Sequence, residues 1–151
     1  MQVLLQRVSE ASVSVEGAIV GQITQGLLVF LCAEHEDAVE TSTRMLDKIL
    51  KLRIFSDDAG KMNRSIQDVG GELLIVSQFT LAADTSRGTR PSFGHAAAPE
   101  VARSLYDDFV AQARRSGLSV KTGVFAADMK VSLINDGPVT IPLKISPIAA
   151  L

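Results

Sequence analysis

From Val3 to Val8, and again from Ser12 to Val15, apolar and polar side chains alternate with the period of a half-buried strand. The polar residues between the two segments predict a short turn and an opening antiparallel pair. Glu16-Gly17 predicts the next turn and Ile19 to Ile23 a further extended segment. Leu27 to Cys32, opened by Gly26, has no polar face and therefore predicts a central strand, so that four strands precede the first helix. The period then lengthens. Between about Asp37 and Leu52, Val39, Leu46, Ile49 and Leu50 share one helical stripe, with Glu40, Arg44, Asp47 and Lys51 opposite.

Asp57-Asp58-Ala59-Gly60 has the chemistry of a tight turn, and the bounded run Leu73-Leu74-Ile75-Val76 reads as a buried strand. A second helix starts at Pro99 with Glu100 in its first turn. Val101, Leu105, Phe109 and Ala113 step by four along its inner face, Arg114 and Arg115 suit its negative end, and Gly117 stops it. Ser119 to Val124 and Lys130 to Asn135 read as strands. Asn135-Asp136-Gly137-Pro138 then predicts a turn, and a last strand runs to about Ile145, at an edge or facing another chain because Pro142 has no amide hydrogen. Many strands with two helices set apart in sequence imply an α+β fold: a curved, largely antiparallel sheet with two main helices packed on one side.

A chain of 151 residues at 46% hydrophobic can bury one substantial core, and residues 1–151 are read as one domain. No run of about 18 apolar residues could cross a bilayer, and the first residues lack the basic start and apolar stretch of a signal peptide, so a cytoplasmic protein without a membrane partner is expected. A net charge of -2 argues against general attraction to nucleic acid, so any RNA contact must be local. Lys61, Arg64, Arg87 and Arg90, flanking two Gly-containing turns, are candidates for such a rim. The lone Cys32, inside an apolar run, reads as a small buried hydrophobe.

The chemistry concentrates after Val76. Ser77-Gln78-Phe79-Thr80 and the segment to Phe93 supply hydroxyls, an amide and two arginines where a strand hands over to a loop. His35 and His95 are not placed along the chain to serve Ser77 or Thr80 as a base, which argues against a hydrolytic triad. No CxxC, HExxH or glycine-rich phosphate loop occurs, so no metal and no cofactor is expected.

These blocks resemble a known family. Leu5-Gln6-Arg7-Val8, Gly26-Leu27-Leu28, Gly60-Lys61-Met62-Asn63, the Ser77–Leu81 (SQFTL) and Gly88–Phe93 (GTRPSF) stretches, and Gly123-Val124-Phe125 through Thr140 occur in the order found in the D-aminoacyl-tRNA deacylases, the D-tyrosyl-tRNA deacylase family. The resemblance implies a barrel-like sheet, a homodimer, and hydrolysis of the ester of D-aminoacyl-tRNA. It implies that Ser77, Gln78, Phe79 and Thr80 surround the scissile ester, with Thr80 as nucleophile or as positioning group. It further implies that Gly137-Pro138 is a cis peptide that enters the partner subunit's site and excludes an L side chain. Arg7 would brace that motif or simply face outward, and Phe125 and Met129 would lie near the terminal adenosine or serve in the core. Ala82, Ala126 and Cys32-Ala33 depart from the usual family residues, and Ala126, where glycine is usual, bears on substrate fit.

An aminoacyl ester is activated, and donors aimed at the developing oxyanion supply a few kcal/mol each, so the sparse chemistry suits this reaction. A non-catalytic module for single-stranded nucleic acid is the alternative. Such modules stack bases on aromatic platforms, and with no Trp, one Tyr and six Phe this chain offers few.

Overall fold

The computed structural model describes residues 1–149. Its elements in chain order are β1 (Gln2–Val15), β2 (Ala18–Ile23), β3 (Gly26–Cys32), α1 (Val39–Lys51), β4 (Phe55–Ser56), β5 (Met62–Arg64), α2 (Ile66–Val69), β6 (Glu72–Ser77), α3 (Pro99–Arg115), β7 (Val120–Thr122) and β8 (Lys130–Lys144). The main sheet runs β2-β1-β3-β6-β7, with β8 on the remaining side of β1. The β1 ladders are antiparallel, whereas β3–β6 and β6–β7 are parallel, so the sheet is mixed, curved and nearly closed. Closure brings β2 against β7: a Cβ on Gly21 would collide with the Thr122 carbonyl.

Two expected turns are absent. The segments 3–8 and 12–15 belong to one strand, because β1 pairs along its length with β8 and passes from β3 to β2 on its other side. The alternating pattern on either side of Ser9-Glu10 is that of one strand changing partners. Likewise Asn135 to Thr140 does not separate two strands. Val8 pairs Asn135 and Gln6 pairs Thr140, so four residues are looped out of a single strand, β8. Three strands, not four, therefore precede α1.

The period-2 pattern of β3 and β6 divides the core into two layers. Leu27, Val29 and Leu31, with Leu73 and Ile75, pack beneath α1 and α3 through Met45, Ile49 and Phe109. Leu28, Leu74 and Val76 face the other way and join Val8, Val13 and Ile23. As expected, β3 is central. Val39 and Val101, assigned from periodicity to inner faces, are instead 54% and 48% exposed. Both lie in the first turn of their helices, ahead of the part that meets the sheet. The short α2 has no apolar period to announce it. Ser65 caps it by accepting from the Asp68 N–H, while the Asp68 carboxylate accepts from the Ser65 N–H.

The Met1 ammonium group is fully buried, 2.8 Å from the Asp37 carboxylate, and donates to the Ile145 carbonyl at 2.9 Å, tying β1 to the end of β8. Burial disfavours the neighbouring Glu34 carboxylate, but the Gln2 amide, the Met1 ammonium and Lys144 outweigh it and hold its pKa below the usual value. Buried Ser42 in α1 is the opposite case: its Oγ has no hydrogen-bond partner. A buried hydroxyl without a partner is destabilising by about 1–3 kcal/mol, and alanine is also the better helix former. Ser42→Ala is therefore expected to stabilise the protein by about 1 kcal/mol, measured as a higher urea midpoint at unchanged slope. A lower midpoint would mean that the hydroxyl is bonded after all.

Candidate functional site

The parallel strands β3 and β6 end side by side, and the chain leaving each one turns around a common space. The Gln78 N–H donates to the Leu31 carbonyl at 2.8 Å, extending the ladder by one bond beyond Ser77. The backbone then tightens into a 3-10 turn over Phe79–Ala82, whose first closing bond runs from the Leu81 N–H to the Gln78 carbonyl. The Phe79 and Thr80 N–H groups precede that bond and have no partner within the turn. They are donors without acceptors among the described residues, at the carboxyl end of a parallel strand. In open α/β sheets ligands bind at that end.

A cavity of about 490 Å³ lies there. Leu31 to Ala33 form one wall and Val76 to Phe79 another; Ala96, Ala97, Pro99, Ala102 and Tyr106 come from α3 and its approach. Phe125 to Met129 and Val131 close it. Ionisable groups are few. Cys32 is buried, and burial first, then Glu34, pushes its thiol up to about 11, which leaves it protonated and poorly nucleophilic at neutral pH. Burial likewise pushes Tyr106 to about 12; its hydroxyl donates to the Ile75 carbonyl at 2.8 Å. Asp128 points out toward Lys130, 3.2 Å away. No histidine lines the cavity, and no group of three metal-ligating side chains occurs among the described residues.

Of the residues singled out from sequence, Ser77, Gln78, Phe79, Phe125 and Met129 line this cavity. Thr80 follows at its rim, exposed, with the Gln78 Nε2 amide donating to its Oγ1. That amide is the only hydrogen-bond partner of Thr80 Oγ1 among the described residues, so no basic group activates the hydroxyl. Phe125 leans on Tyr106 at 5.8 Å between centroids, and the Arg103 guanidinium lies 5.6 Å above its ring. Met129 lies so close to Gly123 that a Cβ there would come within 2.5 Å of the thioether sulfur.

Arg7, Gly137 and Pro138 do not line this cavity. The Gly137-Pro138 peptide is cis, and both residues are exposed where β8 loops out. The Arg7 side chain, 12% exposed, donates from Nε to the Asp136 carbonyl at 3.0 Å and from a terminal nitrogen to the Ile54 carbonyl at 2.8 Å. It thus ties the looped segment to the chain leaving α1. Of the candidate basic rim, Arg64 is paired with Asp58 at 3.0 Å. Sequence reading did not single out Pro99, Ala102 and Tyr106. Their spacing of three and four places them on one helical face, a signal hidden because two of the three are small or cyclic.

A nearly closed α+β sheet with a largely apolar cavity at the carboxyl ends of its parallel strands, and spare backbone donors at the rim, is a site for a small organic group. The chain belongs to the D-Tyr-tRNA(Tyr) deacylase family, whose model matches residues 4–144. It is 63% identical to the D-aminoacyl-tRNA deacylase of Paracidovorax citrulli over 147 residues, covering 97% of this chain and 95% of that one. It is 64% identical to the protein of the same name from Polaromonas sp. strain JS666 over 154 residues, covering 99% and 100%. Among solved structures, the c-Myc DNA Unwinding Element Binding Protein superposes with a TM-score of 0.91 at 41% identity, covering 98% and 100%. A probable eukaryotic D-amino acid tRNA deacylase does so at 0.82 and 19%, covering 95% and 98%, a likeness of fold.

Ala126 sits on the cavity wall with φ of 64°, in the left-handed region. There a Cβ costs about 1–2 kcal/mol, whereas glycine loses about 0.4–1 kcal/mol to its freer unfolded chain. Ala126→Gly is expected to gain about 0.5–1 kcal/mol in urea denaturation. A loss of stability would show that the methyl makes packing contacts worth more than the backbone strain.

Proposed function

We propose that the protein hydrolyses the ester of D-aminoacyl-tRNA, releasing the free D-amino acid and tRNA. The observation that carries this reading is the pair of unclaimed N–H donors at Phe79 and Thr80 beside a cavity with almost no ionisable groups, in a chain of this family. An amide would need a strong nucleophile and a base; an activated ester needs chiefly stabilisation of the oxyanion that forms when water attacks its carbonyl carbon. The Phe79 and Thr80 amides supply that stabilisation. Gln78 uses its own N–H on Leu31 and contributes instead by orienting the Thr80 hydroxyl. Ser77 ends the strand that sets their position. The vicinal hydroxyl of the terminal ribose assists proton transfer as the ester oxygen leaves, and Phe125 and Met129 flank the adenosine. No metal or cofactor takes part, and the substrate is met in the cytoplasm.

The active species is a homodimer, with residues 1–151 as one domain in each subunit. Gly137 and Pro138, exposed and remote from their own cavity, enter the partner's site, and Arg7 holds them in place through Asp136. The motif offers no side-chain carboxylate or amide to recognise a D substituent, so discrimination works by exclusion of an L side chain. Glycine has nothing to exclude. Under single-turnover conditions, D-alanyl-tRNA and glycyl-tRNA should therefore both be cleaved far faster than L-alanyl-tRNA, because a methyl pressed on rigid backbone is penalised steeply. Resistance of glycyl-tRNA equal to that of L-alanyl-tRNA would overturn exclusion, and failure to cleave the D-alanyl ester would overturn the function.

Thr80 acts as a positioning group in this mechanism. Thr80→Ala should keep substantial single-turnover activity, whereas a nucleophile would lose several orders of magnitude. A terminal 2′-deoxyadenosine substrate, esterified on the 3′ oxygen, should react very slowly. Normal cleavage of that substrate together with an inactive Thr80→Ala would reverse the two roles.

The DNA-binding name carried by the 41% identical structure favours a second reading, a non-catalytic single-stranded nucleic-acid module. The net charge of -2 and the scarcity of aromatic platforms weigh against it, and retention of the ester on every charged tRNA would support it.

A further inference from the structure

Phe79 and Phe93 pack edge to face, with centroids 5.1 Å apart and planes at 70°, yet they remain 56% and 38% exposed. Phe79 lines the cavity and Phe93 lies outside it, so the pair continues the cavity wall onto the surface. Beside it projects a loop closed at its base by two bonds: the Asp84 N–H donates to the Ser92 carbonyl at 2.7 Å, and the Ser92 N–H to the Asp84 carbonyl at 2.9 Å. Every residue from Thr85 to Pro91 is exposed, two are arginines and none is acidic. Neither Arg87 nor Arg90 pairs with a carboxylate among the described residues; Arg103 at the cavity wall, by contrast, has Asp107 at 3.9 Å.

Resting on the deacylase reading, we propose that this patch holds the single-stranded nucleotides immediately preceding the terminal adenosine of the tRNA, a base stacking on the Phe79–Phe93 pair while Arg87 and Arg90 meet the phosphates. A cavity of about 490 Å³ has room for the aminoacyl group and one nucleoside. The rest of the strand must leave across the rim, and the loop supplies positive charge there on a protein whose net charge of -2 repels RNA elsewhere. Exposed aromatic faces beside arginines fit a single strand, because every base has a face to stack and every linkage a phosphate.

The test compares two substrates: a D-alanyl minihelix with an intact single-stranded 3′ end, and D-alanyl-adenosine, which lacks the preceding nucleotides. Phe93→Ala should raise KM for the minihelix about tenfold, the order of one lost stacking contact, with Phe93→Tyr close to wild type. Arg87→Ala combined with Arg90→Ala should raise that KM and lower the slope of log KM against log salt by about one. Hydrolysis of D-alanyl-adenosine should be unchanged in all of them, which also shows that the variants are folded. Equal losses on both substrates, or none on the minihelix, overturn the proposal alone. If sedimentation shows that the arginine variant no longer self-associates, the patch is an interface between copies and the proposal fails. A wild-type protein that cleaves neither substrate overturns the deacylase reading, and this one with it.

Discussion

The parallel pairing of β3 with β6 is the constraint on which the rest of the molecule depends. From Gly26 opposite Glu72 to Leu31 opposite Ser77, two apolar strands run in the same direction with both faces covered. Parallel strands need buried faces and a long crossover, and α1 with the β4–β5 hairpin and α2 supplies it. The fit is close at the start of the ladder, where a Cβ on Gly26 would overlap the Glu72 backbone. Because the strands also end together, the chain leaves both at one level, and the space between those exits is the cavity. One bond beyond the strand, from the Gln78 N–H to the Leu31 carbonyl, fixes where the 3-10 turn begins and hence which amides remain free.

The cavity's chemistry is defined by how little of it ionises. Cys32 and Tyr106 are held in their neutral forms by burial, and Asp128 is turned toward Lys130 and solvent. In such a space fixed dipoles act at close to full strength, since neither water nor mobile charge screens them. Backbone N–H groups are suited to the role, as they cannot be titrated and the fold positions them. The proposed mechanism asks nothing of the protein beyond those dipoles, and it uses a hydroxyl carried by the RNA.

Two exposed features stand apart from the core, each held by a few polar bonds. Arg7 crosses from β1 to the Asp136 and Ile54 carbonyls and so anchors the looped segment of β8. The Asp84–Ser92 bonds anchor the arginine loop. In the proposed function both are contact surfaces, one toward the second subunit and one toward the RNA strand. Their exposure in a single chain is then a consequence of partners that complete them.

The sequence by itself determined the fold class, the central place of β3, both long helices and the SQFTL segment as the polar end of a buried strand, because burial periodicity and turn chemistry are local properties. It also marked the stretch from Asn135 to Thr140 as irregular. It did not reveal that β1 and β8 are each one strand: whether a polar interruption is a turn or a loop-out depends on the partner strand, and β1 supplies the same partner on both sides. Nor could periodicity tell that Val39 and Val101 fall beyond the packed part of their helices. The cavity belonged wholly to the tertiary structure. Pro99, Ala102 and Tyr106 reach Gln78 and Phe125 only once the sheet has curled, and which amides remain unpaired is settled by a ladder between strands about 40 residues apart. Local sequence records which groups are able to bond; long-range pairing decides which of them are left free to act.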